Sequence, residues 1–187
     1  MNDCYISRRI TQNRACELHK IAICIEQGLF NTQPPRDLMR LEPPLASSPN
    51  ARATMKANKG KNTKPELKVR RMLRESGHPG YRLQWKIKDA QGKVVCRPDI
   101  VYPGRKVAIF VHGCFWHRCP HCNLSMPKKN RDYWLAKFED NVARDRLKEV
   151  RLRNLGWKVH TIWECRITDS FPESIGRILD SARNIAE

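Results

Sequence analysis

The residues of this chain that are best suited to chemistry are concentrated in one short run, His112–Cys122. Its eleven positions hold three cysteines, three histidines and the adjacent aromatic residues Phe115 and Trp116. A fourth cysteine stands downstream in the tripeptide Trp163–Cys165. Thiolates in C-x4-C-x2-C spacing, joined by one distant cysteine, can complete a tetrahedral zinc site. The predicted ligands of this structural zinc are Cys114, Cys119, Cys122 and Cys165.

Two alternatives to this ligand set remain open. His121 is a competing donor to Cys119, although the two-residue gap between Cys119 and Cys122 is the usual chelating distance and favours the thiol. The second alternative is that the four cysteines are buried free thiols that bind no metal. Zinc is the natural choice for soft anionic sulfur ligands, and we therefore expect Zn²⁺.

A second set of residues is suited to hydrolytic chemistry. Asp99 follows Arg97 and Pro98 at the end of a β-rich run, where a carboxylate can bind Mg²⁺ together with carbonyls, water and a substrate phosphate. His112 and His117 are candidate bases, because an imidazole can take a proton from water near neutral pH. Asp145 is a candidate for orienting such a histidine. Each assignment has an alternative: Asp99 could belong to a plain Pro-Asp turn, the two histidines could be structural, and Asp145 could be a charge on the surface of a helix.

Large aromatic residues inside this polar, cysteine-rich loop are not explained by helical or strand periodicity. Phe115 and Trp116 are therefore candidates for insertion between DNA bases, since apolar side chains that enter a base step unstack and kink a duplex. Trp134 and Met55 are further candidates for this role. For these last two residues, packing against a helix is the alternative interpretation.

The elements that must position these residues follow from periodicity. Thr63 and Glu66 form a capping box that predicts a helix ending at Gly77. Strands are predicted at 81–86, 94–101 and 106–111 as an antiparallel meander, followed by a long helix over 132–154. Its apolar positions on or near one face are Leu135, Phe138, Val142, Leu147 and Val150. A strand over 157–163 and a last helix through Ile175, Ile178, Leu179, Ala182 and Ile185 complete an α/β order with helices packed on a sheet.

Charge is distributed unevenly along the chain. The net charge is +17, but residues 1–50 contribute 6 basic and 5 acidic groups, against 30 and 14 in residues 51–187. Such an excess indicates a polyanionic partner, most simply nucleic acid. We expect residues 1–50 to be a poorly ordered extension and linker, and residues 51–187 to be one domain. The absence of a long apolar stretch or a secretory signal predicts a cytoplasmic protein with no membrane partner and reduced thiols.

These motifs, taken together, resemble those of the very-short-patch repair (Vsr-type) DNA mismatch endonucleases. The resemblance extends from about Arg52 to Asp169 and covers about two thirds of the chain in the right order. The loop sequence Gly-Cys-Phe-Trp-His beside a zinc group is its most specific part. The segments that carry it are Met55, Gly60–Glu66, Arg97–Asp99, His112–His117, Asn141–Asp145 and Trp163–Cys165.

The resemblance implies a restriction-endonuclease-like core with a central mixed β-sheet flanked by helices. It implies that Asp99 binds Mg²⁺ with the main-chain carbonyl of Val111, where the best-known family pattern has threonine. His117 would activate water with Asp145 as its orienting group, while His112 would assist through the hydrated metal. Glu66 matches an acidic catalytic position, with helix capping as its other role.

The same resemblance implies a substrate. The enzyme would nick one strand of double-stranded DNA on the 5′ side of the thymine in a T:G mismatch, the lesion left by deamination of 5-methylcytosine. Phe115, Trp116 and Trp134 would enter beside the mismatch, with Met55 from the opposite groove. The expected setting is a monomer associated with a bacterial nucleoid, cooperating with a cytosine-5 DNA methyltransferase system and with mismatch-repair proteins. The alternatives are a sequence-specific restriction nuclease and a non-catalytic zinc module that binds nucleic acid.

Overall fold

The computed structural model describes residues 44–45, 48–50, 52–53, 60–167 and 171–181 of the chain, with the side chains of 171–174 and 181 excluded. Most of the predicted N-terminal extension, Met55, Ala182 and Ile185 lie outside these residues. None of the described helices is both long and apolar enough to cross a bilayer. The elements are α1 (Lys64–Glu75), β1 (Arg82–Leu83), β2 (Ile87–Lys88), β3 (Val94–Cys96), β4 (Ile100–Tyr102), β5 (Val107–His112), α2 (Arg131–Asn154), β6 (Lys158–Trp163) and α3 (Phe171–Ser181).

The main sheet has four strands in the order β1-β4-β5-β6. The first two neighbouring pairs are antiparallel, whereas β5 and β6 run parallel with Val107 opposite Lys158 and His112 opposite Trp163. The strands β2 and β3 form a separate antiparallel hairpin. The predicted central mixed sheet with helices packed on it is confirmed. The parallel pairing brings the carboxyl ends of β5 and β6, and the loops that follow them, to the same edge of the sheet.

The strand β5 is buried along its whole length, which explains its nearly continuous apolar sequence. Its side chains alternate between two cores. The odd-numbered residues pack with Leu73 of α1 and Leu179 of α3, whereas Ala108 and Phe110 pack with Leu152 of α2. His112 continues the even-numbered side, and therefore faces α2 at the end of the strand.

The first helix begins as its sequence predicted. Thr63 is the N-cap, its hydroxyl accepts a hydrogen bond from the Glu66 N–H, and Pro65 lies in the first turn, where its missing N–H costs nothing. The helix ends at Glu75 with Ser76 as C-cap, and Gly77 follows with a φ of 82°. A left-handed glycine after the last turn is the usual helix stop.

The face that α2 turns towards the body of the protein differs from the predicted apolar face. Leu135 and Val142 are exposed by 37% and 45%, so their assignment to the packed face was wrong. The residues that contact the rest of the protein recur every three or four positions, as one side of a helix requires. They include Trp134, Phe138, Asn141, Asp145, Lys148 and Leu152. The middle of this stripe is polar. A prediction from hydrophobic periodicity alone therefore places the packed face on the neighbouring apolar positions.

The predicted strand over 94–101 is divided in two. Pro98 has no N–H to give to a sheet, and the chain leaves one sheet after Cys96 and enters the other at Ile100. The predicted strand over 81–86 is likewise only two residues long, and the hairpin of β2 and β3 was missed. Asp99 consequently lies at the junction of the two sheets, immediately before β4.

Candidate active site

Asp99 lies at the floor of a cleft of about 830 Å³ between the start of α1, the end of β5 and the middle of α2. Its Oδ2 accepts a hydrogen bond of 2.8 Å from the Val111 N–H, and its Oδ1 is 3.5 Å from Gln84 Nε2. These contacts fix the carboxylate beside the β5 backbone. The structure therefore brings together Asp99 and Val111, two residues that are 12 positions apart in the chain.

Burial raises the pKa of Asp99, and the nearby carboxylate of Glu66 raises it further, although the Val111 N–H opposes both effects. The cleft lining also includes Asp145 and Glu164. Carboxylates gathered in one cleft of a strongly basic protein are a donor set that suits a hard divalent cation such as Mg²⁺. A cation beside Asp99 would relieve the cost of holding this buried carboxylate in its charged form.

His117 and Asp145 form the second part of the cleft. His117 Nδ1 donates a hydrogen bond to Asp145 Oδ2, while Lys148 Nζ lies 3.1 Å from Asp145 Oδ1. Burial alone would raise the pKa of Asp145, but the hydrogen bond from His117 and the charge of Lys148 outweigh it and lower this pKa to about 2. Because the carboxylate is ionised, the proton of the pair lies on Nδ1, which leaves His117 Nε2 able to accept one.

His112 lies directly behind this pair. Its ring stacks on that of His117 with centroids 4.0 Å apart, and its Nε2 is 3.9 Å from Asp145 Oδ2. Burial, followed by the neighbouring charge of His117, lowers the pKa of His112 to about 4. Because of this low pKa, His112 is neutral at physiological pH. Its Nδ1 is buried and has no hydrogen-bond partner within the described part of the chain, so His112 can accept or donate one hydrogen bond within the cleft.

These three residues are also close enough together to hold a metal ion. Both carboxylate oxygens of Asp145, however, are already occupied by His117 and Lys148. A cation there would have to displace an ammonium group. Asp99 is the better candidate for Mg²⁺, since among the described residues its Oδ1 has only the distant Gln84 amide as a partner.

Glu66 lines the same cleft, but its contacts are those of a helix cap. Its two oxygens accept hydrogen bonds from the Thr63 hydroxyl at 2.9 Å and the Asn62 N–H at 3.1 Å. A buried ion pair with Arg70 at 2.6 Å adds to them. These contacts account for an acidic residue at this position without a direct catalytic role.

The sulfur atoms of the four predicted zinc ligands come together beside the cleft. The Sγ atoms of Cys114, Cys119, Cys122 and Cys165 all lie within 4.8 Å of one another, and those of Cys119 and Cys165 are 3.6 Å apart. Tetrahedral Zn²⁺ with ordinary Zn–S bonds places its sulfur ligands about 3.8 Å apart. The group therefore has the size and donor chemistry of a structural zinc site.

His121 takes a different place. Its side chain is exposed, and its backbone N–H donates a hydrogen bond of 3.4 Å to Cys119 Sγ. Although burial opposes it, this contact contributes to a lowered pKa of the Cys119 thiol, whereas burial raises the pKa of Cys114. The structure thus groups Cys119, rather than the His121 imidazole, with the other three thiols.

The three described candidates for DNA insertion form one aromatic cluster. Phe115 contacts Trp116, Trp134 and Phe138 edge to face, with ring centroids 5.1 to 5.7 Å apart. Phe138 is 2% exposed and forms the base of the cluster, while the other three rings are partly exposed. Aromatic side chains supported from below and open above can be presented to a base step as a rigid unit.

Several residues of the site were not among the predicted site residues. Lys148 contacts Asp145 one helical turn later, a position that its spacing could have revealed. Glu164 lines the cleft and accepts a hydrogen bond of 3.4 Å from the Cys114 N–H, so it links the cysteine cluster to the cleft. The Asn141 amide donates to the Trp116 carbonyl at 3.0 Å and ties the loop to α2. No local signal in the sequence marks the last two contacts.

Comparison with known proteins agrees with this geometry. The family described as DNA mismatch endonuclease Vsr matches residues 47–124. The type II nicking enzyme V.XorIIP of Xanthomonas oryzae pv. oryzae is 40% identical over 137 residues, which is 73% of this chain and 91% of the relative. The chain belongs to the Vsr family of DNA endonucleases. This Vsr-family chain is also 37% identical to the type II nicking enzyme V.NaeI of Lentzea aerocolonigenes, over 70% of this chain and 75% of the relative.

A third relative is DNA mismatch endonuclease Vsr of Escherichia coli (strain K12). It is 42% identical over 89 residues, which is 47% of this chain and 55% of that protein. Membership in the family makes the chain a nicking endonuclease that acts on DNA. It therefore rules out the non-catalytic zinc module as the identity of the protein.

Proposed function

We propose that this Vsr-family endonuclease nicks one strand of duplex DNA on the 5′ side of the thymine in a T:G mismatch, and so initiates very-short-patch repair. The proposal goes beyond nicking as such, because it assigns the mismatch as the feature that directs the cut. It also makes Mg²⁺ the catalytic metal and Zn²⁺ the structural one. A sequence-specific restriction-type nuclease on the same fold is the competing assignment.

The main support for the proposal is that four consecutive residues, 114–117, link all three parts of the site. Cys114 belongs to the cysteine cluster, Phe115 and Trp116 to the aromatic cluster, and His117 to the pair with Asp145. The Asn141 amide fastens the same loop to α2. A loop built in this way couples the position of inserted aromatic rings to the position of a catalytic base.

The aromatic cluster supports recognition of a mismatch rather than of a sequence. Inserting side chains into a stack costs a few kcal/mol per step, and this cost is smallest where the base pair is already weakened. Phe115 and Trp134 rest on the buried Phe138, and Trp116 contacts both of them, so the three rings can enter a base step without rearranging. We propose that Met55, outside the described residues, enters from the other groove.

Hydrolysis is assigned to the cleft. Asp99 and the Val111 carbonyl would hold Mg²⁺, which would supply positive charge to the scissile phosphate. His117 Nε2 would take a proton from water, the water oxygen would attack phosphorus, and one P–O bond of the backbone would break, with the leaving oxygen taking a proton from solvent to become a hydroxyl group. Asp145 keeps His117 in the correct tautomer and stabilises its protonated form. His112, neutral and within the same cleft, would assist by hydrogen-bonding the water that hydrates the metal.

The cysteine cluster has a separate, structural role. Zn²⁺ bound by Cys114, Cys119, Cys122 and Cys165 would join the loop after β5 to the turn after β6. This holds the loop residues that precede and follow Cys114 in place, as a supporting shell must do for a catalytic group. We further propose that the enzyme acts as a monomer, in cells where a cytosine-5 DNA methyltransferase creates its substrate and mismatch-repair proteins share the lesion.

The proposal is tested with end-labelled duplexes that differ in one base pair. T:G, T:A and C:G duplexes of otherwise identical sequence are incubated with the full chain, with and without Mg²⁺. We expect Mg²⁺-dependent nicking of the thymine strand in the T:G duplex alone. Equal nicking of the T:G and T:A duplexes would support the restriction-type assignment. Several sequence contexts, with and without 5-methylcytosine, make a negative result informative.

A further inference from the structure

The hairpin of β2 and β3 has a basic, partly apolar face that the proposed machinery does not use. From Arg82 to Arg97 inclusive, the sequence has five basic residues and one acidic residue. Trp85 precedes the hairpin and is 45% exposed, the only exposed one of the five tryptophans, all of which are described. The exposed residues of this face thus combine positive charge with a large aromatic ring.

This hairpin is firmly attached to the protein. Ile87 of β2 and Cys96 of β3 are buried in the core that contains Leu152 of α2. At the tip, the Asp89 carboxylate accepts hydrogen bonds from the backbone N–H groups of Gln91 and Lys93, so the one acidic group is turned onto its own turn. A hairpin anchored in this way can hold an outward-facing surface in one place.

Both ends of the hairpin lead to the candidate metal ligand. Gln84, directly before Trp85, has a φ of 50° and places its Nε2 3.5 Å from Asp99 Oδ1. On the other side, β3 continues into Arg97, which is exposed and lines the cleft. The exposed face of the hairpin is thus continuous with the cleft that contains the hydrolytic residues. The left-handed backbone of Gln84 is strained, because this residue is not glycine. Such strain is concentrated at functional sites, where the surrounding structure holds a residue in a required position.

We propose that this hairpin face is a second DNA-contacting surface, with Lys86 and Lys88 on backbone phosphates next to the scissile phosphate and the Trp85 ring against a sugar or an unstacked base. The occupant is DNA rather than a protein because the surface is cationic and opens into the cleft of a DNA endonuclease. The proposal rests on family membership and not on the choice of mismatch. Aromatic rings and lysines in combination are typical of surfaces that follow a nucleic-acid strand.

Binding of the full chain to labelled T:G and T:A duplexes, measured without Mg²⁺ over a range of salt concentrations, tests the proposal. Replacing Lys86→Gln together with Lys88→Gln is expected to reduce the slope of log affinity against log salt by about 2, since each lost phosphate contact contributes about 0.9. Trp85→Ala is expected to weaken binding about 10-fold, as loss of one stacking contact does. Trp85→Phe is expected to restore most of this loss.

Matched controls are available on α1. Arg71→Gln with Arg74→Gln removes two charges from exposed positions, and Leu67→Ala removes an apolar side chain that is 50% exposed. An unchanged salt slope in the Lys86 and Lys88 variant, or a Trp85→Ala affinity equal to that of Leu67→Ala, would overturn the proposal. Using both duplexes separates the two claims, because the hairpin should affect T:G and T:A binding equally even if mismatch recognition is refuted.

Discussion

Replacing Asp145→Asn tests the assignment of the His117 pair most sharply, because it removes one charge with little change of shape. The side chain is 16% exposed and contacts His117 and Lys148. In the folded protein its pKa falls from 3.8 to about 2. A depressed pKa contributes stability above the unfolded value, and a shift of this size corresponds to about 2 kcal/mol. This contribution is lost as pH falls through the folded pKa.

We therefore expect Asp145→Asn to lower the free energy of unfolding by about 2 kcal/mol at pH 7, with the deficit shrinking below about pH 4. The nicking rate at saturating DNA should fall by about 10²- to 10⁴-fold, as loss of assistance to a general base does, while DNA affinity stays nearly unchanged. Urea unfolding, single-turnover nicking and fluorescence anisotropy measure the three quantities.

The matched control is Asp132→Asn, which neutralises an exposed carboxylate in the first turn of the same helix. It should change stability by less than about 1 kcal/mol and leave nicking intact. If Asp145→Asn nicks within a few-fold of the unaltered enzyme, Asp145 does not orient the base. If its stability is unchanged at pH 7, the charge interactions with His117 and Lys148 are not as the structure describes them.

Three further substitutions separate the parts of the site. Asp99→Ala should retain DNA binding and lose Mg²⁺-dependent nicking, and retained cleavage would remove Asp99 as a metal ligand. Cys165→Ser should lower bound zinc, measured by metal analysis, together with folding yield; an unchanged zinc content would exclude it from the ligand set. Glu66→Gln leaves the buried Arg70 without its anionic partner and should cost about 3 kcal/mol of stability, yet nicking per folded molecule should persist. A complete loss of nicking in well-folded Glu66→Gln protein would instead assign Glu66 a catalytic role.

Local chemistry explains which parts of the fold could be predicted from the sequence. The first helix was confirmed from Thr63 to Gly77, because a capping box and a left-handed glycine are signals carried by neighbouring residues. The order of helices and strands was likewise correct apart from the missed hairpin of β2 and β3 and the division of the strand over 94–101. The division of the predicted strand over 94–101 at Pro98 was missed. The residues on both sides of the proline favour β-structure, so they suggested one continuous strand.

Long-range features were less accessible. The parallel pairing of β5 with β6 joins residues about 50 positions apart, and no local pattern specifies it. The inner face of α2 was assigned wrongly because its middle positions are Asn141, Asp145 and Lys148, which serve the site rather than the core. Hydrophobic periodicity finds the face of a helix only where that face packs against apolar side chains.

Among the site residues, too, those marked by local sequence spacing could be predicted, and those that depend on long-range pairing could not. Cysteine spacing suggested the zinc group, and the structure brings its four sulfur atoms together. Glu164, in contrast, reaches the cleft only because β6 ends beside β5. A residue whose role depends on the pairing of distant strands has no signature in its own neighbourhood.

The central claim is that one loop couples aromatic insertion to strand cleavage at a mismatch. The most direct measurement compares single-turnover nicking of T:G and T:A duplexes by the full chain and by its Phe115→Ala and Trp116→Ala variants, with the cut mapped to the nucleotide. We expect a cut on the 5′ side of the mismatched thymine, confined to the T:G duplex and greatly slowed in both variants. Equal cutting of the two duplexes, or full activity on T:G without these aromatic rings, would contradict it.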